Sequence, residues 1–277
     1  MSISAADVKK LRDMTGAGMM DCKKALSEAN GDFDAAVEFL RKKGQQVSEK
    51  RADRDAKEGT IVIKISDDNK KAVALELNCE TDFVAKNDEF VANATEFASI
   101  VFDNDVADLA SLKSTSMGSI TVGERLEELV GKIGEKIDIS RFETLTTDGE
   151  IIPYIHPGNQ LAVLVEFNGS VENKDLGKDV AMQIAAMKPI AVNRDAVDAS
   201  VVEKELEIAK EQLINEGKPA EIAEKAAQGK LRRFYEESVL LEQKFVKDGS
   251  VTVSEHLKNN DAPEVVNFLR LQLGEHN

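Results

Sequence analysis

The spacing of apolar positions first changes period near residue 56, and that change divides the chain. Before it the spacing is helical. Ser4 can cap a helix carrying Val8 and Leu11, which Thr15-Gly16-Ala17-Gly18 ends. A second helix carries Met19, Cys22, Ala25 and Leu26 and stops at Asn30-Gly31-Asp32. A third bears Phe33, Ala36, Val37 and Leu40, followed by the charged run Arg41-Lys42-Lys43 and a polar linker to Arg54. From Gly59 the period is two: Ile61, Ile63 and Ile65 alternate with polar residues, Asp67-Asp68-Asn69 turns, and Val73, Leu75 and Leu77 alternate again, which predicts a β-hairpin. Phe83, Phe90, Ala94, Phe97 and Ile100 then recur at helical steps.

The hairpin pattern returns 90 residues later without a gap: Gly59 meets Gly149, Ile61 meets Ile151, Ile65 meets Ile155, Val73 meets Val163, Glu76 meets Glu166 and Asn78 meets Asn168. Gly, Glu and Asn in one register favour a duplicated unit over chance alternation. The copies part just past the second strand, where Thr81-Asp82-Phe83-Val84 faces Val171-Glu172-Asn173-Lys174, which has no aromatic. A loop that differs on a shared scaffold is the place to look for function.

Within the second copy, Val202, Leu206, Ala209 and Leu213, then Ala223, Ala227, Leu231 and Phe234, flank the break Gly217-Lys218-Pro219. This predicts an antiparallel helical hairpin over 198–236, each arm about 27 Å long at ~1.5 Å per residue. Its apolar seam is narrow, so the pair is expected to project from the body and not lie flat on it. Strand-like Val251-Thr252-Val253, a short helix through His256 and Leu257, and a last strand near 268–273 complete the chain. The expected fold is α+β: a three-helix module and linker at 1–55, then two related α/β subdomains with antiparallel sheets at 56–142 and 143–277, the second containing the hairpin.

Charge narrows the function. With 36 Lys and Arg against 51 Asp and Glu, the net charge is -15, which opposes direct binding to nucleic acid. Through Lys57 there are 12 basic and 10 acidic residues, so the negative excess lies downstream. No Trp and two Tyr leave little for base stacking. Two cysteines, Cys22 and Cys79, do not make a disulfide framework, no apolar run is long enough to span a bilayer, and the start lacks a secretory pattern; a cytoplasmic protein is expected.

Self-sufficient chemistry finds no motif. There is no G-x-x-x-x-G-K-[ST] and no G-x-S-x-G, and His156, His256 and His276 lie far from any nucleophile signature. Gly16-Ala17-Gly18 lacks the third glycine of a dinucleotide fingerprint and follows a helix, so it reads as a helix–helix turn. Asp103-Asn104-Asp105 opens like a calcium loop, but Asp108 stands where Gly is needed and Ser114 where the bidentate Glu belongs. No metal and no cofactor are expected.

Two long segments carry a family resemblance. Residues 15–32, beginning Thr15-Gly16-Ala17-Gly18-Met19-Met20-Asp21-Cys22-Lys23-Lys24, and Asn78-Cys79-Glu80-Thr81-Asp82-Phe83-Val84-Ala85-Lys86-Asn87 resemble the two signatures of bacterial elongation factor Ts. Lys132-Ile133-Gly134-Glu135-Lys136-Ile137, the His156 hairpin and Lys218-Pro219-Ala220-Glu221-Ile222-Ala223-Glu224-Lys225 add to it. The resemblance implies a ubiquitin-associated-like N-terminal module and a protruding coiled-coil hairpin. It also implies a guanine-nucleotide exchange factor that performs no covalent chemistry and binds elongation factor Tu, both GDP-bound and nucleotide-free.

By that resemblance Thr81, Asp82, Phe83 and Val84 intrude beside the partner's magnesium site and promote GDP release. Phe83 is the wedge, and Asp82 helps move the elements that hold the metal. Leu11, Met19, Met20, Ile133, Gly134 and His156 match partner-binding positions. Taken alone, Thr or Asp before an apolar run is a helix cap, Phe is core, and a hairpin His is a surface turn residue. The resemblance leaves a homodimer and a 2:2 complex both open, implies no membrane, and keeps a non-catalytic holding partner of elongation factor Tu as the alternative. The chain stops at Gly274-Glu275-His276-Asn277, short of the further helix some family members carry, so contacts of that helix do not transfer.

Overall fold

The computed structural model describes residues 3–275. His276 lies outside them. Helix α1 (Ala5–Thr15) starts in a capping box, Ser4 Oγ accepting from the Asp7 amide at 3.1 Å while the Asp7 carboxylate accepts from the Ser4 amide at 3.1 Å. Helices α2 (Met19–Glu28) and α3 (Phe33–Arg51) close around Leu11, Cys22, Ala25, Leu26 and Ala36. The charged stretch after Leu40, expected to lead into a linker, is therefore mostly helix. It stays helical because another helix of the first sheet unit lies against it.

The first hairpin is β1 (Glu58–Ile65) and β2 (Lys71–Cys79). Helices α4 (Asp82–Ala85), α5 (Asp88–Asn104) and α6 (Leu109–Ser114) come next, then a ribbon of β3 (Ser116–Met117) and β4 (Ile120–Thr121), α7 (Val122–Ile133) and β5 (Asp138–Thr146). The second half repeats the plan with β6 (Glu150–Ile155), β7 (Leu161–Phe167) and α8 (Lys174–Met187). It then adds α9 (Ala199–Asn215) and α10 (Ala220–Ser238) before its own ribbon, β8 (Lys244–Phe245) and β9 (Asp248–Thr252), then α11 (Val253–Asn259) and β10 (Val265–Gln272). Each half makes a three-stranded antiparallel sheet, ordered β1-β2-β5 and β10-β7-β6.

The sheets pack face to face. From β2, Val73, Leu75 and Leu77 meet Phe90 and Phe97 of α5 and Leu126 and Leu129 of α7, while Ala72 and Ala74 turn the other way. From β7, Val163, Val165 and Phe167 meet α8, while Ala162 and Leu164 turn inward. Ile61, Ala72, Ala74, Leu145, Ile151, Ala162, Leu164 and Leu271 form the shared middle core. A strand covered on both faces needs apolar residues at every position, which is why the stretches 72–75 and 161–165 are continuously apolar. The exchange of contacts is reciprocal: the Ile61 amide donates to the Asn159 carbonyl at 2.7 Å and the Ile151 amide to the Asn69 carbonyl at 2.8 Å, and both pairs stand 90 apart. Gly59 and Gly149 each lie so close to a facing carbonyl, of Leu77 and Phe167, that neither position has room for a Cβ.

The division expected at 142/143 falls inside β5. That strand reads poorly as period two because Ile139 and Phe142, both packed on the first core, are three residues apart, the register shift between Glu76 and Leu77 having absorbed Ser140 as an extra residue. Helix α3 crosses α7 closely: a Cβ on Gly131 would lie 2.9 Å from the Gly44 Cα. Helices α9 and α10 bury Ala209, Leu213, Ala223 and Ala227 in a cluster made of their own residues only, and their bases join Ala191, Val197 and Val239.

Candidate functional site

Strand β2 ends at Cys79, and two carboxylates fix the residues after it. Glu135, just past α7, accepts from the Glu80 amide at 3.1 Å, the Thr81 amide at 3.0 Å and the Thr81 hydroxyl at 2.7 Å. Glu80 accepts from Arg51 and Arg54 at 3.0 Å each and from the Lys136 amide at 2.6 Å. The Lys136 amide, then the Arg54 and Arg51 guanidiniums, hold the Glu80 carboxyl below its ordinary range. The neighbouring Cys79 thiol is fully buried, and burial, with Glu135 nearby, pushes its pKa up to about 12; it is a neutral core group and not a nucleophile.

Helix α4 is a single turn because Asn87 stops it. Asn87 Oδ1 accepts from the Glu89 amide at 2.9 Å and so caps α5 instead of extending α4. On this turn the four candidate residues divide. Val84 packs inward against the first core. Asp82 is half-exposed and pairs with Lys86 at 2.6 Å, a hydrogen bond that holds its carboxyl below the usual range. Phe83 is 83% exposed. The local reading of Phe83 as core is therefore overturned, and so is the reading of Thr81 as a side-chain cap: its hydroxyl serves Glu135 and makes no capping bond to α4.

Residues 132–135 connect this loop to the other candidates. The Lys132 side chain lies against Gly16, in the turn before α2, and its ammonium bonds Glu89 at 2.6 Å. Ile133 packs on the first core, and Gly134 caps α7 in the left-handed conformation, φ 80°. Met19 and Met20, on the first turn of α2, are 58% and 72% exposed, since the three-helix core is filled by Cys22, Ala25 and Leu26. His156 sits exposed at the tip of the β6–β7 hairpin, its Nδ1 2.8 Å from the Tyr154 hydroxyl, in a cleft shared with Glu58. Glu58 is paired with Cys79 across β1 and β2, so the tip lies at the same end of the sheets as Thr81.

Leu11 departs from expectation. It is fully buried in the three-helix core, on the same helical stripe as Val8, and presents no surface. Met14, three residues past Leu11 and not singled out in the sequence, is 59% exposed. Glu80 and Glu135 were also missed: each lies inside a segment that carries the family resemblance, but only their convergence in space reveals their part. Among the described residues, no three His, Cys, Asp or Glu side chains come together to hold a metal, and no helix is long and apolar enough to cross a membrane.

Fold and site together define an α+β protein whose first sheet unit carries, just past β2, a braced single turn that holds an aromatic ring out in solvent. Residues 80–275 match the family model for Elongation factor TS. The chain is 50% identical over 274 residues to Elongation factor Ts of Christiangramia forsetii, covering 98% of this chain and 99% of that one. It is 49% identical over 278 residues to Elongation factor Ts of Amoebophilus asiaticus, covering 99% and 100%. For the protein of the same name in Prosthecochloris aestuarii the identity is 47% over 284 residues, covering 98% and 99%. The chain belongs to the elongation factor Ts family, and its relatives are translation elongation factors.

Proposed function

We propose that the chain is a guanine-nucleotide exchange factor for elongation factor Tu in the cytoplasm, that it engages the GDP-bound and nucleotide-free partner, and that it performs no covalent chemistry. In this reading residues 1–55 are a ubiquitin-associated-like docking module, the two sheet units are the body that carries the loop, and α9–α10 are a coiled-coil arm. The observation that carries the proposal is Phe83, an aromatic ring held out in solvent on a braced single turn in only one of two matching units. An exchange factor prefers the empty partner over the GDP-bound one, and linkage then weakens GDP by the same factor. Burying a Phe contributes roughly 1.5–3 kcal/mol. That matches an allosteric coupling of about 1–3 kcal/mol, so the ring can supply a large share of the displacement. Asp82 would act beside it on the elements that hold the partner's magnesium, with Met19, Met20, Ile133, Gly134 and His156 as docking contacts and Leu11 as internal support.

The test is release of a fluorescent GDP analogue from elongation factor Tu, with this chain in catalytic amounts and excess unlabelled GDP. Acceleration is expected, with Phe83→Ala lowering kcat/KM about 10- to 150-fold, as the loss of roughly 1.5–3 kcal/mol implies. Complex formation without acceleration would instead support a holding partner.

A further inference from the structure

We propose that Glu135 is a positioning residue: its carboxylate sets the angle at which Phe83 is presented to the partner. This rests on the exchange reading and names the group that holds the wedge. Helix α4 has four residues and no side-chain bond capping its start, so the helix itself does little to orient its first turn. Phe83 is too exposed to be steered by packing of its own ring. Its direction is therefore inherited from the backbone on either side: after it Val84 and Ala85 are packed on the first core, and before it Glu135 takes three donors from residues 80 and 81, using both carboxylate oxygens. Glu135 is itself well founded. The next residue, Lys136, donates its amide to Glu80 and its ammonium to the carbonyls of Ala52 and Arg54 at 2.6 and 2.8 Å, which ties the loop to the end of α3.

The second unit supplies a comparison. There the Val171 amide, matching Thr81, donates to Glu150 at 2.7 Å. But Glu150 is buried, comes from β6 and also binds Lys174 and Asn69, and the loop it holds carries no aromatic. A carboxylate at this place can thus serve the fold alone, so the test has to separate presentation of Phe83 from stability.

Full-length Glu135→Ala, Thr81→Val and Thr81→Ser, each checked by thermal melting, would be compared in two measurements: hydrogen exchange of amides 80–85 in the free chain, and kcat and KM for release of fluorescent GDP from elongation factor Tu. Glu135→Ala is expected to lower protection at 80 and 81 and to reduce kcat about tenfold with KM within about twofold, the pattern of an interaction used only in the transition state. Thr81→Ser should stay near wild type while Thr81→Val loses part of the rate. Phe83→Ala should cost less in the Glu135→Ala background than alone, because the two act as one unit. Loss of protection with unchanged kcat, equal defects in Thr81→Ser and Thr81→Val, or strict additivity with Phe83→Ala would each overturn the proposal and leave Glu135 a fold residue. A flat wild-type trace, seen before any variant is compared, would sink the exchange reading itself and take this proposal with it.

Discussion

Phe83 and Phe90 stand seven residues apart, in phase for one helical face, yet one is exposed and the other fully buried. The phase is broken between them by Asn87, whose side chain starts a new helix and so resets which face points inward. Periodicity alone could not show this, because a cap is a side-chain hydrogen bond and Phe83 keeps an ordinary core spacing from Phe90. The exposure was legible only through the resemblance around Thr81-Asp82-Phe83-Val84. The two rings should therefore respond oppositely to truncation. Phe90→Ala removes a packed ring from the first core and is expected to cost about 3–5 kcal/mol of unfolding free energy. Phe83→Ala removes nothing packed and should stay within about 0.5 kcal/mol of wild type. Urea unfolding of both variants checks this, and a large loss in Phe83→Ala would mean that the ring is packed in solution.

Among elements, the crossing of α3 on α7 decides where the N-terminal helices sit. Gly44 and Gly131 let the two backbones approach, and Arg41 reaches across to Glu128 at 3.1 Å. A methyl on Gly131 would meet backbone and not a flexible side-chain end, so the helices have to separate. Gly131→Ala is expected to cost about 1–3 kcal/mol despite its better helix propensity, since overpacking outweighs a gain of roughly 1 kcal/mol. Faster proteolysis near residues 51–57 should accompany the loss, and an unchanged cleavage rate with raised stability would show that the crossing relaxes freely. The length of α3 was not legible for a related reason. Its second half is charged and offers no apolar stripe, and the forces that keep it helical are tertiary: a glycine contact and ion pairs to distant elements such as Arg51 with Glu80. Strand β5 was obscured by its bulge, whereas the hairpins β1–β2 and β6–β7 were plain, their turns and alternation being local.

At the scale of the molecule, the duplication goes further than the hairpins. In both halves a two-stranded ribbon delivers a helix through the same capping box, Thr121 with Glu124 before α7 and Thr252 with Glu255 before α11, and a third strand comes after it. The pair α9–α10 is an insertion between matched parts, which is why the spacing of 90 that aligns the hairpins becomes 131 at these caps and hides the second level of the repeat. The two sheets bury Ile61 and Ile151 in one middle core, each contributed by a different half. If that core couples the halves, they unfold together. Ile151→Ala is expected to cost about 2–5 kcal/mol and to lower hydrogen-exchange protection in β1 and β2 as well as in β6 and β7, within a single calorimetric transition. Protection lost only in the second sheet, or two separated transitions, would mean that the halves are stable separately and merely touch. The coupled outcome has a consequence for the loop at Thr81: it would stand on a platform whose rigidity both halves supply, although only one of them carries the ring.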